Sequence, residues 1–106
     1  MDIKLVKLYD AYSPLLSERQ NEIMSLYYNE DESLSEIAEN TGITRQGVRD
    51  HIKKAEAQLT SFESALGLAQ KLETLRNETE KAQKALACGD TAEALRALSE
   101  ISVTLE

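Results

Sequence analysis

The sequence predicts an all-α fold, and three observations lead there. Leu, Ala, Glu and Lys are abundant, charged residues make up 29% of the chain, aromatics 5%, and Pro14 is the only proline, a composition that favours helix. Apolar residues recur every three or four positions through most of the chain, which is the period of a helix with one buried face. Ser17, Ser33 and Asp90 each stand three positions before Gln20, Glu36 and Glu93, the pairing that closes the orphan amides at a helix start.

The elements follow in order. Ile3, Leu5, Val6, Leu8, Tyr9 and Tyr12 form a stripe that predicts a helix over about 2–12, broken by Ser13 and Pro14. Ser17 and Gln20 open a second helix with Leu16, Ile23, Leu26 and Tyr27 on its buried side, running to about Tyr28. After the acidic turn Asn29 to Glu32, Ser33 and Glu36 open a third, lined by Leu34, Ile37 and Ala38 and ended by Gly42, which tolerates the left-handed turn. Ile43 plugs the turn and Thr44 caps a fourth helix, whose buried side is Val48, Ile52, Ala55 and Leu59. This leaves Arg45, Gln46, Arg49, Asp50 and Lys53 facing outward. Two short helices joined by a glycine turn, the second polar at its start, make the helix-turn-helix unit that lays a recognition helix in a nucleic-acid groove.

Beyond residue 60 the pattern changes. Leu59, Phe62, Leu66 and Ala69 continue one seam, while Leu68, Leu72, Leu75, Thr79, Ala82 and Leu86 alternate spacings of four and three, a heptad-like stripe. Gly67 lies between the two seams as a kink or a break. Gly89 stops the helix, Asp90 and Glu93 open a last one, and Leu95, Leu98, Ile101 and Leu105 are expected inward. The expected organisation is a four-helix domain over 1–60 and a helical hairpin over 61–106. Two helices bury little surface, so a homodimer is expected, with Leu68, Leu72 and Leu75 at its interface. The segment ACGDTAEALRAL is similar to half of a tetratricopeptide unit, but one copy makes no solenoid.

Composition restricts function. The amino-terminal stretch MDIKLVKLYDAY alternates charged and apolar residues, unlike a signal-peptide core, and no apolar run reaches membrane-spanning length, so a cytoplasmic protein without membrane insertion is expected. Cys88 is the only cysteine and His51 the only histidine, far apart in sequence, which gives no internal disulfide and no metal-ligand spacing. There is no glycine-rich phosphate loop, no nucleophile–base pair at a recognisable spacing and no partner that would tune a carboxylate. Neither catalysis nor a cofactor is expected.

Nineteen acidic residues against twelve basic ones give a net charge of −7, unfavourable for a nucleic-acid binder. Positions 44 to 56 run the other way: Arg45, Arg49, Lys53 and Lys54 outnumber Asp50 and Glu56. Thr44, Arg45, Gln46, Arg49 and Lys53 are therefore the candidate nucleic-acid contacts, since arginine forks onto guanine and glutamine onto adenine. A plain solvated helix face is the alternative. Tyr9, Tyr12 and Tyr27 are expected in the core, Tyr28 is the one tyrosine with a case for base stacking, and Cys88 and His51 are expected to be structural.

The run from Leu16 to Leu59, with Leu16, Arg19 and Ile23, then Leu34-Ser35 and Glu36-Ile37-Ala38, then Ile43-Thr44, Val48 and Ala55, resembles region four of bacterial sigma factors. More closely, Tyr27, Tyr28, the acidic loop, Ser35 to Glu39, Thr44 to Val48 and His51 to Glu56 resemble the YlxM family of small bacterial helix-turn-helix proteins, strongly over 3–64 and loosely after that. The resemblance implies a sigma region-four-like bundle. Because genes of this family typically adjoin that of the signal recognition particle GTPase, it also implies a part in, or regulation of, that targeting pathway. The implied partners are DNA or signal recognition particle RNA. The alternative is a non-catalytic accessory whose acidic surface docks on the targeting GTPase. Gly47 stands where the family often has alanine.

Overall fold

Two compact units make up the chain in the computed structural model, which describes residues 2–106; the first ends at Leu66 and the second spans Gly67–Glu106. Every regular element among the described residues is helical. The boundary falls at Gly67, whose φ of 61° places it in the left-handed region that glycine enters without a Cβ penalty. The expected boundary at 60/61 lies inside a helix that runs on to Leu66.

In the first unit α1 (Ile3–Tyr12) is capped by Asp2, whose carboxylate accepts from the Lys4 and Leu5 amides. A single 3₁₀ turn, Ser13–Leu15, follows with Pro14 near its start. Next, α2 (Glu18–Tyr28) and α3 (Leu34–Thr41) each begin with a complete capping box, Ser17 with Gln20 and Ser33 with Glu36. Each box satisfies two amides that no helical carbonyl reaches. Gly42 ends α3 at φ 77°. The long α4 (Arg45–Leu66) then packs against α1, α2 and α3. It is the axle of the unit, and its Val48, Ile52, Ala55 and Leu59 are all buried, one apolar face at helical spacing.

Around α4 the core is built from Leu8, Tyr9 and Tyr12 of α1, Leu16, Ile23 and Met24 at α2, and Ile37 of α3. Polar groups inside it are paired, as desolvation requires. Gln20 donates to Gln58, Tyr12 to the Glu63 carboxylate, and Asn21 to the Ser13 and Leu16 carbonyls at 2.9 and 3.3 Å. Tyr28 donates to Glu56 at 2.6 Å, and its ring lies 5.6 Å from Tyr9 and 5.2 Å from Tyr27. Tyr28 is therefore a half-buried strut between α2 and α4, and the stacking role is not the one its geometry serves.

The second unit is an antiparallel hairpin of α5 (Leu68–Ala87) and α6 (Thr91–Leu105). Gly89 turns the chain at φ 77°. Asp90 caps α6 by accepting from the Glu93 amide at 3.0 Å, but the return bond is absent because Glu93 pairs with Arg96 instead. The two helices meet along Ala82 and Ala85 on one side and Ala94 and Ala97 on the other. Expected inward, Leu95, Leu98 and Leu105 instead lie outward, 64%, 50% and 69% exposed. Alanine lets the backbones approach closely, and the leucines of the neighbouring row are then left outside the seam.

Candidate nucleic-acid interface

The start of α4 is positioned from both ends of the turn. Ile37 anchors α3 with no exposed surface, Gly42 reverses the chain, and the Thr44 hydroxyl accepts from the Gly47 amide at 2.9 Å, which caps α4. Gly47 is held tightly here: a Cβ on it would lie 3.1 Å from the Thr44 hydroxyl, so alanine at this position presses on the cap while it improves helix propensity.

All five candidate contacts, Thr44, Arg45, Gln46, Arg49 and Lys53, are exposed, on the side of α4 away from the buried Val48 and Ile52. Arg45, Arg49 and Lys53 follow one another at intervals of four, so they form a single basic row about 12 Å long at 1.5 Å per residue. Beside it, Gln46 Nε2 donates to Asp50 Oδ1 at 2.9 Å. Leu34, Arg45, Gln46 and Arg49 line a shallow concavity of about 320 Å³, which joins the start of α3 to the start of α4. This pair was missed in the sequence, although the spacing of four between Gln46 and Asp50 is a signal that could have found it. That Leu34 would share the concavity was not legible, because its neighbour across the turn depends on how α3 and α4 cross.

The acidic residues before α3 are partly engaged. Glu32 accepts from Asn40 at 2.6 Å, and Asp31 takes a left-handed φ of 53°, which aspartate tolerates better than most residues. Glu36, whose carboxylate receives the Ser33 backbone amide at 3.1 Å, is held below the usual glutamate range by that bond and by the Ser33 side chain. Its charge also lies in the first turn of α3, where the helix dipole favours it.

The other candidates fall elsewhere. His51 is half-buried in α4 and Cys88 is exposed at the end of α5. Leu68 and Leu72 are partly exposed, and Leu75 is half-buried, along α5. No group of three or more His, Cys, Asp or Glu able to hold a metal occurs among the described residues. No helix among them is long and apolar enough to cross a membrane.

Comparison with known proteins agrees with this architecture. A family model described as "Putative helix-turn-helix protein, YlxM / p13 like" matches residues 1–97. A UPF0122 protein of Halalkalibacterium halodurans is 41% identical over 104 residues, 98% of this chain and 95% of that protein. One from Symbiobacterium thermophilum is 39% identical over 98 residues, 92% of each chain. A third, from Desulforamulus reducens, is 52% identical over 68 residues, 64% of this chain and 58% of its own. With the family model covering nearly the whole chain and close relatives matched almost end to end, the protein belongs to the UPF0122, or YlxM-like, family of helix-turn-helix proteins.

Proposed function

We propose that the protein is a non-enzymatic, nucleic-acid-binding regulator that works through α4 as a recognition helix. The observation that carries this reading is the basic row Arg45, Arg49 and Lys53 beside Gln46, exposed at the start of a helix whose opposite face is buried. Duplex DNA is the favoured ligand, because its major groove admits a helix whereas the deep, narrow groove of A-form RNA does not. Signal recognition particle RNA, which the family resemblance implies, would have to present a distorted groove or a loop. Fluorescence anisotropy against duplex DNA and against that RNA, at equal length, tests the choice. Tighter binding of the duplex supports this reading, tighter binding of the RNA transfers the role to the targeting pathway, and binding of neither refutes it.

The net charge of −7 favours a second reading. In it the helix-turn-helix fold is a docking surface, and the acidic stretch Glu30, Asp31 and Glu32 meets a basic protein such as the targeting GTPase.

In either case we propose a homodimer formed through the hairpin. On α5, Leu72, Leu75 and Leu86 lie roughly a quarter-turn from the Ala82/Ala85 seam, and on α6 Leu98 and Leu105 are rotated similarly, in the same sense, from Ala94/Ala97. Because the helices run antiparallel, equal rotations bring both rows to one side of the hairpin. That shared leucine face, extending the Leu68, Leu72 and Leu75 stripe, suits a four-helix bundle with a second copy.

A further inference from the structure

We propose that Asp50 is a positioning residue that makes Gln46 an adenine reader, so that α4 selects an A·T pair at one step of the major groove. The inference rests on the duplex-DNA reading above and adds its base preference. It follows from the bond between Gln46 Nε2 and Asp50 Oδ1, 2.9 Å long and one helical turn apart. An ionised carboxylate only accepts, so the amide nitrogen, and not the carbonyl oxygen, must be the end of Gln46 that faces Asp50. One amide proton is used there. Where Asp50 takes the proton trans to Oε1, the second proton and the Oε1 lone pairs are left side by side.

That pair, one donor beside one acceptor, complements adenine, which offers the N7 acceptor and the N6 amino donor in the major groove. It mismatches guanine, where N7 and O6 both accept and O6 would oppose Oε1. A glutamine free to turn its amide over discriminates less sharply between the two purines, since it can also turn its protons toward the guanine acceptors. Asp50 removes that freedom before the base arrives, and exclusion of water at the groove strengthens the constraint. Leu34, half-buried and lining the same concavity as Gln46, adds an apolar surface suited to the methyl of the paired thymine. Arg45 and Arg49 flank Gln46 on the concavity and supply the sequence-independent hold on phosphate.

The test is selection from a randomised duplex DNA library by the full chain, by Gln46→Ala and by Asp50→Asn, with helicity checked for each. Both side chains are exposed, so all three proteins are expected to fold. The wild type is expected to enrich a motif with adenine preferred roughly tenfold or more at one position. Gln46→Ala should flatten that position alone. Asp50→Asn is nearly isosteric, but its amide can donate to the Gln46 carbonyl and release both Gln46 protons outward; the adenine-over-guanine ratio should fall about tenfold while the rest of the motif stays. A merely structural Asp50 would weaken every position evenly, and that result overturns the proposal. So does a cytosine preference lost in Asp50→Asn and indifferent to Gln46, which would make Asp50 itself the base contact. Enrichment by the wild type with no position responsive to either variant overturns this inference and leaves the duplex-DNA reading standing. No enrichment by any of the three overturns that reading as well.

Discussion

Ile37→Ala tests the way α4 is held against α3. Ile37 is the one buried residue of α3, and α3 has eight residues, too few to be helical without tertiary support. Alanine removes three buried methyl or methylene groups, roughly 2.4 kcal/mol of transfer free energy at about 0.8 kcal/mol each. A cavity that cannot fully collapse between α3 and α4 adds to that, so the expected cost is about 3–4 kcal/mol. A unit ending at Leu66 has a total stability of roughly 3–10 kcal/mol on ordinary per-residue values, so the variant should lose from about a third of it to all of it. Urea denaturation followed by tyrosine fluorescence is the assay: there is no tryptophan, and Tyr9, Tyr12, Tyr27 and Tyr28 all lie in the first unit, so the hairpin is silent. Ile37→Val, expected to cost about 1 kcal/mol, keeps the experiment readable if the alanine variant does not fold. Ile3→Ala, at a position 73% exposed, should stay within about 0.5 kcal/mol of the wild type. A loss at Ile37 no larger than that at Ile3 would refute the packing of α3 on α4.

Three further outcomes are expected. Glu36 has its folded pKa depressed, first by the Ser33 backbone amide and then by the Ser33 side chain, so its stabilising contribution is present above the unfolded glutamate pKa and lost as pH falls through the folded one; Glu36→Gln, which cannot ionise, should flatten that acid dependence in a pH series of urea midpoints. Tyr28 has its folded pKa raised, first by burial and then by its bond to Glu56, so its contribution is intact below the unfolded tyrosine pKa and declines as pH rises above it; Tyr28→Phe should be less sensitive to alkali than the wild type. Sedimentation equilibrium should show a dimer of the 11.8 kDa chain that Leu98→Glu dissociates without loss of helicity, and a wild type that sediments only as monomer at micromolar concentration would contradict the shared leucine face.

The first unit was legible because its signals are local and agree with one another. Ser17 with Gln20 and Ser33 with Glu36 are closed boxes, Gly42 takes the left-handed turn, and Val48, Ile52, Ala55 and Leu59 are the buried face of α4. The same spacing argument missed Met24, which is fully buried, because α2 is enclosed by α1, α3 and α4 over more than one stripe. It also misplaced the hairpin seam. A pattern of large apolar residues marks leucine rows, but two helices that meet closely need small residues between them: Ala82 was in the expected stripe, whereas Ala85, Ala94 and Ala97 each lie one step before a leucine that was. The Asp90 box failed for a related reason, as Arg96, one turn after Glu93, competes for the carboxylate that would have closed it. At the candidate interface the outward residues could be read directly, since they are what the buried face leaves over. The concavity with Leu34 needed the crossing of two helices, which no single segment encodes.

The most direct test of the central claim is the salt dependence of duplex DNA binding by the wild type and by the Arg45→Ala/Arg49→Ala variant, measured by fluorescence anisotropy. If α4 is the recognition helix, each arginine that meets a phosphate releases condensed counterions. The variant should then bind more weakly, and the slope of log affinity against log salt should fall by roughly two. Equal affinity and equal slope in the two proteins would contradict the account.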